Sequence, residues 1–103
     1  MNPDIKPNIL VKVRFFTTIE GGRETAIQGE YYRCPLFIDG EASECRFLLY
    51  GQRIELGKTY NLPVKFLWIE NVVHKFTVGK EVLPWEAGII GRGEIIEIFD
   101  YTE

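Results

Sequence analysis

"NILVKVRFFTTI", residues 8–19, decides the fold class. Ile9, Val11, Val13 and Phe15 fall on one side of an extended chain, and Lys12 and Arg14 on the other. Period-two alternation carried by β-branched and aromatic residues is the pattern of a half-buried strand. No segment shows a sustained helical period. Five prolines and ten glycines cut the rest of the chain into short pieces, and these read as further strands. YYRCPLFI (31–38) is one, with Pro35 demanding an edge or a bulge. CRFLLY (45–50), TYNLPVKFLWI (59–69), HKFTV (74–78) and IIGRGEIIEIF (89–99) follow. GQRIELG (51–57) is a short strand or a turn, and Gly79-Lys80 a tight turn.

Six or seven strands with turns about every ten residues suggest a small sandwich or barrel. A closed barrel removes free strand edges. Gly91 and Gly93 inside the last strand fit a close backbone approach or a barrel corner. The expected organisation is a loosely held tail over residues 1–8 and one all-β domain over 9–103. Asp39-Gly40 is a hairpin signal. If these are the two central residues of the turn, 38 faces 41 and 34 faces 45. Cys34 and Cys45 then lie opposite one another with Cβ atoms ~4.5–5.5 Å apart. In an oxidising setting that invites a disulfide; in a reducing one the pair are free thiols in or near the core.

The totals narrow the function classes. The 103 residues match one domain, and the 46% apolar content is that of a globular chain. No apolar run approaches the ~18 residues of a spanning helix, and the N-terminus lacks the apolar middle of a signal peptide. No membrane association and a cytoplasmic location are therefore expected. A net charge of −3 and a pI near 5.2 do not draw the chain as a whole toward nucleic acid. Two cysteines and one histidine, His74, fall short of a four-ligand structural zinc site, so no metal or other cofactor is expected. A catalytic Cys–His pair would have to join Cys34 or Cys45 to His74. "GIIGRGE" lacks the strand-then-helix context of a dinucleotide fingerprint, and no phosphate-cradling GxxxxGK[ST] is present. The aromatics, interleaved with Arg14, Arg33 and Lys65, offer either barrel filling or a stacking surface for single-stranded nucleic acid.

The order of motifs carries a resemblance. Glu20-Gly21-Gly22-Arg23 and Thr25 are followed by Tyr32-Arg33 with Pro35, then by Gly51, Ile54, Leu56 and Gly57. Phe76 and Val78 come next, and the series ends on Gly91, Gly93 and the isoleucines to Ile98. Over residues 9–99 this resembles the third, C-terminal domain of translation elongation factor Tu. The resemblance implies a six-stranded antiparallel β-barrel. It also implies a module without GTPase chemistry, which in that family helps grip the T-stem of aminoacyl-tRNA and contacts a nucleotide-exchange partner. On this chain the nucleic-acid candidates are Gly22, Arg23, Arg33, Gly91 and Arg92. Glu24 stands where the family has a histidine, and the family's threonine-rich loop becomes DGEASE. Asp39, Glu41 and Glu44 on that loop would repel a phosphate backbone. The leading expectation is therefore a stand-alone, non-enzymatic module that binds a protein partner, with Trp85 among its contacts. A tRNA- or RNA-binding module is the alternative, and a small enzyme with an unseen cleft comes third.

Overall fold

A computed structural model describes residues 5–99. It is all-β. β1 (Ile9–Phe15), β2 (Tyr31–Arg33), β3 (Leu36–Ile38), β4 (Glu41–Ser43), β5 (Cys45–Leu48), β6 (Thr59–Phe66), β7 (Glu81–Pro84) and β8 (Gly91–Ile98) are joined by turns and two 3-10 segments. Every pairing is antiparallel, in the order β2-β5-β6-β1-β8-β7-β3-β4, and the sheet curls into a half-barrel. β1 sits centrally, between β6 and β8. Its expected alternation is what the structure shows: Ile9, Val11, Val13 and Phe15 are buried, while Lys12 is exposed and Arg14 half-buried. Inside the curl, Phe47 meets Phe15 edge-on at 5.6 Å and stacks on Tyr32 at 6.1 Å. Each such buried ring contributes about 1.5–3 kcal/mol.

The expected six strands become eight because two long arms are broken. Pro35, which has no N–H to give a ladder, separates β2 from β3, and opposite it Glu44 separates β4 from β5. The Asp39-Gly40 turn forms as expected. Both residues have positive φ, 54° and 80°, as a two-residue hairpin requires. Ile38 faces Glu41, and the Cys34 N–H donates to the Cys45 carbonyl at 3.1 Å. Both cysteines are buried free thiols.

Three other expectations need correction. HKFTV is not a strand: Ile69–Asn71 and Val73–Lys75 are 3-10 turns closed by i→i+3 bonds such as Val72 N–H to Ile69 O. The buried Lys75 ammonium anchors the second of them to the Ile38 carbonyl and the Glu41 carboxylate. β7 is a strand absent from the expected series, because EVLP is too short to show a period and ends in proline. Asn8, assigned to the tail, is buried. Its side-chain Oδ1 accepts the Phe66 N–H at 2.7 Å, and its own N–H donates to the Val64 carbonyl at 2.7 Å. A bulge also explains why Glu94 and Glu97 fit no simple alternation. Between Leu10 and Val11 the register slips past Ile96, so Leu10 faces Glu97 and Val11 faces Ile95.

Candidate functional site

The motif-derived residues come first. In the loop after β1, Thr17 O accepts the N–H groups of Glu20 and Gly22, and the Glu20 carboxylate accepts the Thr17 N–H at 2.8 Å and Arg14 Nη2 at 3.0 Å. Those bonds, the Thr17 amide foremost, hold the Glu20 carboxyl below its ordinary pKa. Gly22 packs so closely that a Cβ there would lie 2.1 Å from the Phe16 carbonyl oxygen. Arg23 leaves this loop and turns inward. It lies over the Tyr32 ring at 5.2 Å, pairs with Glu86 at 2.7 Å and donates to Thr25 O. The Tyr32 hydroxyl donates to the same Glu86 oxygen at 2.6 Å. Burial, then that bond, raises the Tyr32 pKa.

Gly91 and Arg92 open β8. A Cβ on Gly91 would sit 2.8 Å from the Arg14 carbonyl oxygen, so the glycine serves the close approach of β1 and β8. Arg92 donates to Glu81 at 2.8 Å. Trp85 is 37% exposed and packs edge-on against Phe37 at 5.0 Å, with exposed Ile89 bridged to it. The acids of DGEASE do not form one repelling loop. Asp39 pairs with Lys80 at 2.9 Å, and Glu41 pairs with Lys75, which lowers the Glu41 pKa.

Arg33 behaves differently from these. In register, Arg33 on β2 faces Arg46 on β5, and Arg46 faces Lys65 on β6. With adjacent strands ~4.7–4.9 Å apart, three cations stand in a row on one face. Lys6 joins them around a groove of about 430 Å³, where Ile5 and Leu67 supply apolar wall and Glu44 one acid. Arg46 is held over the ring of Tyr31 at 4.8 Å. Of the twelve cationic side chains, Arg14, Arg23, Arg53, Lys75, Lys80 and Arg92 each have a carboxylate within ion-pair distance. Among the described residues the other six have none, and four of those six line this groove. A second, more open depression, of about 570 Å³, is lined by Lys12, Arg14 and Arg92 but also by Glu81 and Glu94.

Sequence reasoning singled out Arg33 and Lys65 and missed Arg46 and Lys6. A usable signal existed: the count from Asp39-Gly40 that sets 34 against 45 also sets 33 against 46. The β5–β6 register had no such signal, because the connection between them carries no two-residue turn.

The thiols offer little nucleophilic chemistry. Cys34 donates to the Trp85 carbonyl at 3.4 Å, and Cys45 donates to the Cys34 carbonyl at 3.0 Å. Burial pushes Cys34 up to about 11 and Cys45 well above its ordinary value, whereas nucleophilic thiols are shifted down. His74 is exposed on its 3-10 turn. Among the described residues, no three His, Cys, Asp or Glu side chains gather as a metal site, and no helix is long and apolar enough to cross a membrane. A scan of the chain against protein-family models finds no match, and neither does a search of curated protein sequences.

Proposed function

We propose that this chain is a non-enzymatic β-barrel module that binds a protein partner. One observation carries the reading: two of the arginines that would meet a phosphate backbone are already neutralised from within, Arg23 by Glu86 and Arg92 by Glu81. The surface around them is one of interleaved charge, with exposed Trp85 and Ile89 nearby in the chain. Mixed polarity around aromatic anchors suits protein contacts better than a polyanion. The thiols' raised pKa values and carbonyl partners support a non-catalytic role. A cytoplasmic setting is in keeping with two facing thiols left reduced.

The same proposal includes the finer reading of the fold. Counting β2 with β3 as one bent strand, and β4 with β5 as another, turns eight strands into the six of a barrel related to the third domain of elongation factor Tu. RNA binding is the second reading, favoured by the row of Arg33, Arg46 and Lys65, none of which has a carboxylate within ion-pair distance among the described residues.

The test is affinity capture from extract of the source cells with immobilised chain. A protein retained in stoichiometric amount, displaced by free chain and lost with Trp85→Ala, is the expected result. Retention of RNA instead, with no displaceable protein, contradicts the proposal.

A further inference from the structure

We propose that the groove where residues 5–6 approach β2, β5 and β6 is a docking site for an acidic peptide segment carrying an apolar anchor. This rests on the reading of the chain as a protein-binding module, and it names the chemistry of the partner. Like charges directly opposite one another on adjacent strands are destabilising. Arg33, Arg46 and Lys65 form two such contacts in succession, and no carboxylate among the described residues pairs with any of them. Among the described residues this charge conflict has no paired carboxylate, and a bound anion relieves it. Conflicts between local rules and fold concentrate at functional positions.

The rest of the lining specifies the anion. Leu67 is 53% exposed, and half-buried Ile5 lines the same groove. A ligand that fills this groove carries an apolar group beside its negative charge. The volume of about 430 Å³ suits one large side chain with its flanking residues. Arg46, held over Tyr31, presents its guanidinium with less freedom to lose. Carboxylates then bind bidentately to such a planar fork.

A nucleic-acid strand fits less well. It needs a track of cations beyond the groove, and farther along the same sheet that track is broken. Lys12 stands between Asn61 and Glu94 in register, Arg14 is paired with Glu20, and Arg92 with Glu81.

The experiment is fluorescence anisotropy on the whole chain with three labelled probes. They are a peptide of Asp and Glu around a central Phe, the same peptide with Asn and Gln, and an oligouridine of similar length. The acidic peptide should bind saturably, more weakly as salt rises. Arg46→Glu should weaken it at least ~10-fold, the amide peptide should bind at least ~10-fold more weakly than the acidic one, and Arg53→Gln, which removes a cation paired with Glu55 outside the groove, should leave it unchanged. Should Arg46→Glu fail to fold, Arg33→Gln keeps the question open to disproof: it should weaken binding and raise the thermal midpoint by about 1–5 °C, because a repulsion is removed. No saturable binding, binding indifferent to both arginine variants, or tighter binding of the oligouridine through the same arginines overturns the proposal. A captured protein partner lost with Trp85→Ala but kept with Arg46→Glu overturns the groove and leaves the protein-binding reading standing. Failure of capture and peptide together removes both.

Discussion

Two arginine pairs face each other across strands in this protein, and they resolve their repulsion in opposite ways. Arg14 on β1 faces Arg92 on β8, and each is neutralised, by Glu20 at 3.0 Å and Glu81 at 2.8 Å. Arg33 on β2 faces Arg46 on β5; neither has a carboxylate among the described residues, and Lys65 extends the row. The first pair belongs to the architecture: Glu20 ties the glycine loop to β1, and Glu81 ties β7 to β8. The second pair leaves charge unspent on the surface. What separates the two pairs is therefore whether a carboxylate from a neighbouring loop or strand reaches them, and neither the residue across the ladder nor membership of a motif.

The comparison can be broken most drastically from beneath. Phe47 is fully buried between the Phe15 and Tyr32 rings, adjacent in sequence to Arg46. Phe47→Ala should cost about 3–5 kcal/mol by chemical denaturation, taking the geometry of the cation row with it.

Alkaline pH is the next lever. The unfolded Cys34 thiol ionises near 9.0, while the folded one holds its proton to about 11. Between those values only the unfolded chain gains from losing the proton, so stability should fall as pH rises. The fall from this group alone is about 2–3 kcal/mol. Tyr32, also raised, extends the trend above pH 10. Urea midpoints across that window check it, and Cys34→Ala should flatten the curve.

Smaller effects separate the two kinds of arginine. Glu86→Ala removes the common acceptor of Arg23 and Tyr32, and should destabilise by about 1–2 kcal/mol. Arg33→Gln should do the reverse, stabilising by about 0.2–1 kcal/mol in the thermal midpoint. Destabilisation by Arg33→Gln would mean that the arginine has a structural partner after all.

Much of the fold was legible. The alternation in 8–19 and the Asp39-Gly40 turn are local signals, and β1 and the hairpin follow from them. The two broken arms were not legible in number, because Pro35 marks a break without saying whether the ladder resumes. Residues 74–78 misled because their structure is set by a tertiary anchor, Lys75 on Ile38 O and Glu41, which no window of sequence contains. The candidate site was legible in part. Arg23 and Arg92 stood out by motif, yet their carboxylate partners come from distant residues or a neighbouring strand. Arg33 needed only the hairpin count continued by one residue to meet Arg46, whereas Lys65 and Lys6 depended on a register and a chain path that only the folded structure supplies.

The most direct test of the difference between the two arginine pairs is a parallel titration of the acidic, Phe-centred peptide against wild type, Arg33→Gln and Arg92→Gln, followed by anisotropy at low salt. The predicted result is at least ~10-fold weaker binding for Arg33→Gln and no change for Arg92→Gln. Equal losses at both arginines, or loss only at Arg92, would contradict the assignment of ligand-facing charge to the β2–β5–β6 row.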